Sequence, residues 1–183
     1  MHPAIFLDRD GVIIENRPNY VRRWEDVLFY PQALQALASA GGSPYKIVIV
    51  TNQSAVGRGM ISLETAHEIN RRVIETIEAH GGRIDGSFIC PHAPQDACDC
   101  RKPKPGLFRQ AAEALSLDLG QSYLIGDALS DLLSGQAAGL RQTILVRTGR
   151  GAAQEALPKP QELKPFLTFD TLSQALAALL QND

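Results

Sequence analysis

The chain has 183 residues, 44% of them hydrophobic and 21% charged, which argues against a disordered or fibrous polypeptide and for one domain, spanning 1–183, with a substantial core. Its 18 Lys and Arg nearly balance 20 Asp and Glu, for a formal charge of -2, so the basic footprint of a nucleic-acid binder is missing. No apolar run approaches the roughly 20 residues that span a bilayer, and the opening MHPAIFLDRDG has neither a basic nor a long apolar targeting region; a soluble, cytoplasmic protein is expected.

The first predicted strand is AIFL (4–7), which runs directly into Asp8-Arg9-Asp10-Gly11. Extended geometry points alternate side chains the same way, so Asp8 and Asp10 form a carboxylate pair. Two such charges held close need a cation between them or a shared proton, which suggests divalent-metal binding or acid/base chemistry. Gly11 permits a sharp departure, although DxDG read alone is also an ordinary turn. The segment 15–31 is less periodic, and PQALQALASAG (31–41) follows as a helix.

KIVIV (46–50) is the second strand. It ends at Thr51-Asn52-Gln53-Ser54, four hydroxyl or amide side chains suited to holding phosphate oxygens. A long helix is predicted over 62–81, with Ser62 at its start and Gly81-Gly82 after it. GSFIC (86–90) is the third strand and opens the run CPHAPQDACDC. There Cys90, His92, Cys98 and Cys100 offer three thiolates and an imidazole, a complete tetrahedral shell for a structural Zn2+. These are all the cysteines of the chain, and their odd number within eleven residues does not suit a secreted disulfide framework. Arg101-Lys102-Pro103-Lys104-Pro105-Gly106 comes next, three cations on a backbone stiffened by two prolines.

Helix GLFRQAAEALSL (106–117) leads to strand SYLIG (122–126), which ends at Asp127. Asp131 lies one helical turn further on, so both carboxylates can face one centre. Helix LSDLLSGQAAG (129–139), strand QTILV (142–146), a Pro-rich connection (154–165), strand PFLTF (165–169) and helix TLSQALAALL (171–180) complete the chain. Strands apolar on both faces alternating with amphipathic helices predict an α/β fold, a doubly wound parallel sheet, with its chemistry beyond the carboxyl ends of the strands.

FLDRDG, VTNQ, RKPKPG and GDALSD, in this order and each after a strand, resemble the four signature motifs of the haloacid dehalogenase superfamily of phosphohydrolases, over residues 4 to 131. The resemblance implies a Rossmann-like core and a phosphomonoester hydrolase. In it Asp8 is the nucleophile that forms an aspartyl-phosphate, and Asp10 is the general acid and then base. Mg2+ is held by Asp8, the backbone carbonyl of Asp10, and Asp127. Thr51 and Lys102 hold and neutralise the transferring phosphoryl group, and Asp131 orients Lys102 or metal-bound water. The choice of Lys102 over Lys104 follows from the family pattern alone, because spacing does not separate them.

The zinc loop is similar to those of two groups in this superfamily, histidinol phosphatases and heptose bisphosphate 7-phosphatases. TNQSAVGRG (51–59) and the Pro-Gly of RKPKPG resemble the heptose group, with Ala55 where that pattern has Gly. That likeness implies removal of the 7-phosphate of D-glycero-D-manno-heptose 1,7-bisphosphate, with substrate contacts from Asn16, Asn19, Tyr20, Asn52, Gln53, Ser54 and Arg101. Arg58 reads equally well as a phosphate contact or a solvent-facing loop residue. No domain-sized insertion follows the first or second motif, so a capless enzyme and a monomer are expected, with a small phosphorylated sugar as partner and neither nucleic acid nor membrane. The rivals are a phosphatase of histidinol phosphate or another small sugar phosphate, and a non-catalytic zinc-loop binding protein on the same scaffold. Against the latter stands the complete set Asp8, Asp10, Thr51, Lys102 and Asp127.

Overall fold

The architecture is that of a computed structural model, described for residues 1–181. Six strands form one sheet: β1 (Ala4–Leu7), β2 (Lys46–Asn52), β3 (Gly86–Cys90), β4 (Tyr123–Gly126), β5 (Gln142–Val146) and β6 (Leu167–Phe169). Every pairing is parallel and the order is β3-β2-β1-β4-β5-β6. The helices are α1 (Pro31–Ala40), α2 (Ser54–Gly57), α3 (Leu63–Ala79), α4 (Gly106–Leu115), α5 (Leu129–Ala137), α6 (Gly151–Ala156) and α7 (Leu172–Leu180). No described helix is long and apolar enough to cross a membrane.

The period of two along each strand sorts the core into layers. Ile5, Leu7, Ile47, Ile49, Ile125, Ile144 and Val146 pack with Leu37 of α1, Val73 and Ile77 of α3 and Leu176 of α7. Their neighbours Ala4, Phe6, Val48, Val50 and Leu124 pack on the other face, against Leu107, Phe108 and Ala111 of α4. Leu145 meets Leu129 and Leu132 of α5. This two-sided burial is why the strands read as continuous apolar runs. Strand order reverses between β1 and β4, so a crevice opens beyond their carboxyl ends, where Asp8 and Asp127 stand.

The expected helix ends are present. Ser62 accepts the amide of Thr65, Thr171 that of Gln174, and Gly81 and Gly139 take positive φ just past α3 and α5. Several boundaries differ from expectation. β2 continues two residues further, so Thr51 and Asn52 are strand residues, and β6 starts only at Leu167. α6 takes the first part of the segment expected to be a connection, and α2 lies in the second motif. Helices of four and six residues are too short to display a hydrophobic period.

Phe6 is fully buried and meets the Phe108 ring edge to face at 4.9 Å between centroids. Phe6→Ala should therefore cost about 3 to 5 kcal/mol in urea unfolding; a loss under about 1 kcal/mol would show that β1 does not depend on this layer.

Candidate active site

The site is built from loops after five strands. Asp8 follows β1 and is 4% exposed, its amide donating to the Ile125 carbonyl of β4 at 3.0 Å. Gly11 turns the chain at φ +92°, and a Cβ there would lie 2.0 Å from Asp127 Oδ2, so both backbone angle and space demand glycine. The cleft above has a volume of about 720 Å³.

At its floor Lys102 lies 3% exposed. Its ammonium has three acceptors: Asp131 Oδ1 at 2.7 Å, Asp8 Oδ1 at 2.8 Å and the Val50 carbonyl at 2.9 Å. Lys104 instead reaches the Cys98 carbonyl and the exposed Asp99 at 2.8 and 3.1 Å. The geometry thus distinguishes the two lysines where spacing does not. Asp131 uses its other oxygen to accept the amides of Asp127 and Ala128 at the start of α5, at 3.2 and 3.1 Å. It joins Lys102 to that helix, in keeping with an orienting role.

β2 delivers the polar quartet in two directions. Thr51 and Gln53, two apart, turn to the DxD turn: Gln53 Nε2 donates to Thr51 Oγ1 at 2.9 Å and to Asp10 Oδ2 at 3.0 Å. Arg9 holds the same carboxylate from behind, Nε to Oδ2 at 3.0 Å and Nη2 to Oδ1 at 3.3 Å. Asn52 faces the other way and exchanges two 3.2 Å hydrogen bonds with the backbone of Lys102. Ser54 Oγ accepts from Arg101 Nη1 at 2.5 Å, and the same nitrogen donates to the His92 carbonyl at 3.2 Å.

Of the residues expected to contact substrate, Asn16, Tyr20, Asn52, Gln53, Ser54 and Arg101 line the cleft. Asn16 also donates to Asp127 Oδ2 at 2.6 Å. Asn19 is exposed and lies outside the cleft lining. Arg58 stands 6.0 Å over the Tyr20 ring. Arg17, within the 16–20 loop expected to contact substrate, also lines the cleft, as do Ser130 and Arg150, which lie outside the expected set. Arg150 is the consequential omission: its guanidinium grips Asp127 at 2.8 and 3.2 Å. The TGRG run just after β5 was a legible signal for it, since functional loops gather at strand ends.

Ligand oxygens of Asp8, Asp127 and Asp131 lie within 4.8 Å of one another, all buried. Burial pushes the Asp8 carboxyl up to about 7; Lys102 draws it down, and the charges of Asp131, Asp127 and Asp10 push it up again. Burial works against the Lys102 charge, but Asp131 and Asp8 outweigh it and hold the ammonium above its usual range. Among the described residues, the cations paired with these three buried carboxylates are Lys102 and Arg150, so the residues fit a divalent cation.

A second cluster sits at the end of β3. Sulfur to sulfur distances among Cys90, Cys98 and Cys100 are 3.1 to 3.6 Å, and His92 Nδ1 lies 3.6 and 3.3 Å from Cys90 and Cys100. A disulfide needs about 2.05 Å, whereas ligands on roughly 2.3 Å zinc bonds stand a little under 4 Å apart. Burial raises the Cys90 thiol above its usual range, so a thiolate there needs a cation. The donor set fits zinc.

A parallel doubly wound sheet with paired aspartates at its switch point and a buried lysine opposite them defines the class of haloacid dehalogenase-like hydrolases. Residues 99–175 match the family described as HAD-hydrolase-like. The D-glycero-beta-D-manno-heptose-1,7-bisphosphate 7-phosphatase of Pseudomonas aeruginosa is 35% identical over 177 residues, 97% of each chain. That of Haemophilus ducreyi is 39% identical over 163 residues, 85% of this chain and 89% of the other. A crystal structure of D,D-heptose 1,7-bisphosphate phosphatase from B. bronchiseptica, complexed with magnesium and phosphate, superposes with a TM-score of 0.91 at 33% identity over 99% of both chains. The chain belongs to this family of phosphatases.

The raised Asp8 gives a testable pH dependence. Unfolded, the group titrates near 3.8, whereas folded it holds its proton up to about 7. Its contribution to stability is complete below the unfolded value and is lost as pH rises through the folded one. With Mg2+ withheld, Asp8→Asn should melt a few degrees above the parent at about pH 8, and the gain should vanish towards about pH 4. A pH-independent difference in melting temperature would refute the assignment.

Proposed function

We propose that the chain is a Mg2+-dependent phosphomonoester hydrolase that removes the 7-phosphate of D-glycero-D-manno-heptose 1,7-bisphosphate. The observation that carries the reaction is the buried Lys102 bridging Asp8 and Asp131 at the cleft floor. The substrate rests on the likeness to the heptose bisphosphate phosphatases over nearly the whole chain.

Asp8 leaves β1 directly at the cleft floor with the Lys102 ammonium on Oδ1, which leaves its other oxygen to attack phosphorus. As that P–O bond forms, the bond to the sugar oxygen breaks, and Asp10 delivers its proton to the leaving alkoxide. Asp10 then takes a proton from the water that attacks the aspartyl-phosphate. The acyl oxygen returns to Asp8 as carboxylate and phosphate departs. Arg9 and Gln53 orient the Asp10 carboxyl group. Because Gln53 donates to Thr51 Oγ1, the Thr51 hydroxyl hydrogen is free to point at a phosphoryl oxygen. Lys102 offsets charge on the transferring group. Asp8, Asp127 and the Asp10 carbonyl would hold Mg2+, which when bound neutralises carboxylate and phosphoryl charge so that one anion can approach another.

The zinc loop serves this site by position. Cys100 precedes Arg101 and Lys102, and the His92 carbonyl accepts from Arg101. Zn2+ on Cys90, His92, Cys98 and Cys100 fixes a loop that is otherwise mostly exposed, and with it the approach of both cations. Elemental analysis should give about one Zn per chain. Cys98→Ser should lower both zinc content and kcat, the latter on the order of 10- to 100-fold; full activity without zinc would refute the positional role.

The deciding experiment measures phosphate release from both anomers of heptose 1,7-bisphosphate and from histidinol phosphate with Mg2+. The expected kcat/KM preference for the heptose is about 100-fold or more, on the order of 2.7 kcal/mol in transition-state binding. Asp8→Asn should reduce turnover about a thousandfold or more. A preference for histidinol phosphate would overturn the substrate, and near-parental turnover by Asp8→Asn would overturn the mechanism.

A further inference from the structure

Asp127 is fully buried, and its two oxygens are used unequally. Oδ2 accepts from Asn16 Nδ2 at 2.6 Å, from the Arg150 backbone amide at 2.9 Å and from Arg150 Nε at 3.2 Å. Oδ1 accepts from Arg150 Nη2 at 2.8 Å. The carboxylate would therefore remain oriented by Asn16 and a backbone amide if the guanidinium left. What the guanidinium occupies is Oδ1, the oxygen with the fewest other donors.

The loop that carries Arg150 is fixed independently of its side chain. Thr148 Oγ1 donates to the Gly11 carbonyl at 2.6 Å and the Gly149 amide to Tyr30 Oη at 3.1 Å. A Cβ on Gly149 would fall 2.4 Å from Asp127 Oδ2 and 2.5 Å from Gly11 Cα, so the backbone is pressed against the turn below. The Arg150 side chain, by contrast, is 54% exposed and lines the cleft. A pinned backbone with a half-exposed side chain allows the head group to change partner without moving the loop.

We propose that Arg150 is a further substrate-binding residue that exchanges partners: it neutralises Asp127 until a divalent cation takes Oδ1, and the released fork then binds ligand phosphate in the cleft. The exchange rests on the proposed role of Asp127 as a metal ligand and not on the sugar. A guanidinium and a divalent cation repel each other and compete for Oδ1, and a planar fork freed beside an anionic ligand has the geometry for two phosphate oxygens. The arrangement keeps the buried carboxylate paired in both states, which avoids the large cost of an unpaired buried charge.

The test uses the zinc-containing full chain and two probes, Mg2+ and inorganic phosphate, each followed by calorimetry so that no turnover is needed. Arg150→Gln keeps the backbone amide on Asp127 while removing the cation, and near-UV circular dichroism reports its fold. Arg150→Gln should bind Mg2+ about fivefold tighter or more, and its Mg2+-loaded form should bind phosphate about fivefold more weakly or worse. Arg150→Lys, which keeps the charge without the fork, should fall between parent and Arg150→Gln on both measures. Unchanged or weaker Mg2+ binding by Arg150→Gln overturns the exchange, as does unchanged phosphate binding. Parental Mg2+ affinity in Arg150→Lys beside a tighter Arg150→Gln also overturns it, because the effect would then be the general field of a cation. Since neither probe is a sugar, failure of the heptose assignment leaves all these outcomes readable.

Discussion

The interaction on which the site depends is the burial of the Lys102 ammonium between Asp8 and Asp131. Removing such charges from water costs several kcal/mol per ion, and mutual attraction offsets this only when geometry is good and the remaining hydrogen-bonding capacity is used. Lys102 meets that condition by giving all three of its protons to acceptors within 2.9 Å. The acceptors come from the residue after β1, from Val50 within β2 and from the first turn of α5, so one side chain ties together three segments that are distant in sequence. Asp131 then passes the constraint to Asp127 through the amide it caps. The geometry of the cleft floor follows from one fully satisfied cation.

Placing that cation is itself a structural problem, because the chain around it has little core. The segment from Ala93 to Arg101 is largely exposed or half-buried and contains no helix longer than a single 3-10 turn. In place of a hydrophobic core it gathers the four side chains Cys90, His92, Cys98 and Cys100, anchored through Cys90 to the end of β3. Asn52 then clasps the Lys102 backbone from β2, acting like one more rung of sheet. Ordering at the cluster and satisfaction of Lys102 are thus linked through two residues of backbone.

Much of the fold was legible because two-sided burial writes itself into sequence as apolar runs, here AIFL, KIVIV and QTILV, separated by helices with a clear face. The short α2 and α6 were not legible, since neither spans enough turns to show a period. At the site, residue types at strand ends marked the Asp8, Thr51 and Asp127 loops, but direction was harder. The extension of β2 to Asn52 makes alternation decide it, Thr51 and Gln53 to one side and Asn52 to the other, and the shorter strand expected from KIVIV concealed that rule. Lys102 and Lys104 have like neighbours in sequence, and only burial separates them. Arg150 is marked in the sequence only by the strand end it follows, because its partner Asp127 lies 23 residues away.

Specificity in a capless cleft has to come from side chains already fixed on the rim. Arg101 is tied to Ser54 and the zinc loop, and Arg17 donates Nε to the Asp26 carbonyl, so both present cations whose positions are set before any ligand enters. Such preorganisation lowers the ordering cost of binding an anion. The same cleft carries three buried carboxylates at its floor, which would repel a phosphate unless neutralised. A ligand with a phosphate at each end meets opposite conditions at the two: a floor that requires a metal before it can accept phosphate, and a rim whose arginines accept it at once. On the proposed function, this charge layout would favour a bisphosphate over a monophosphate and orient it by the difference between floor and rim.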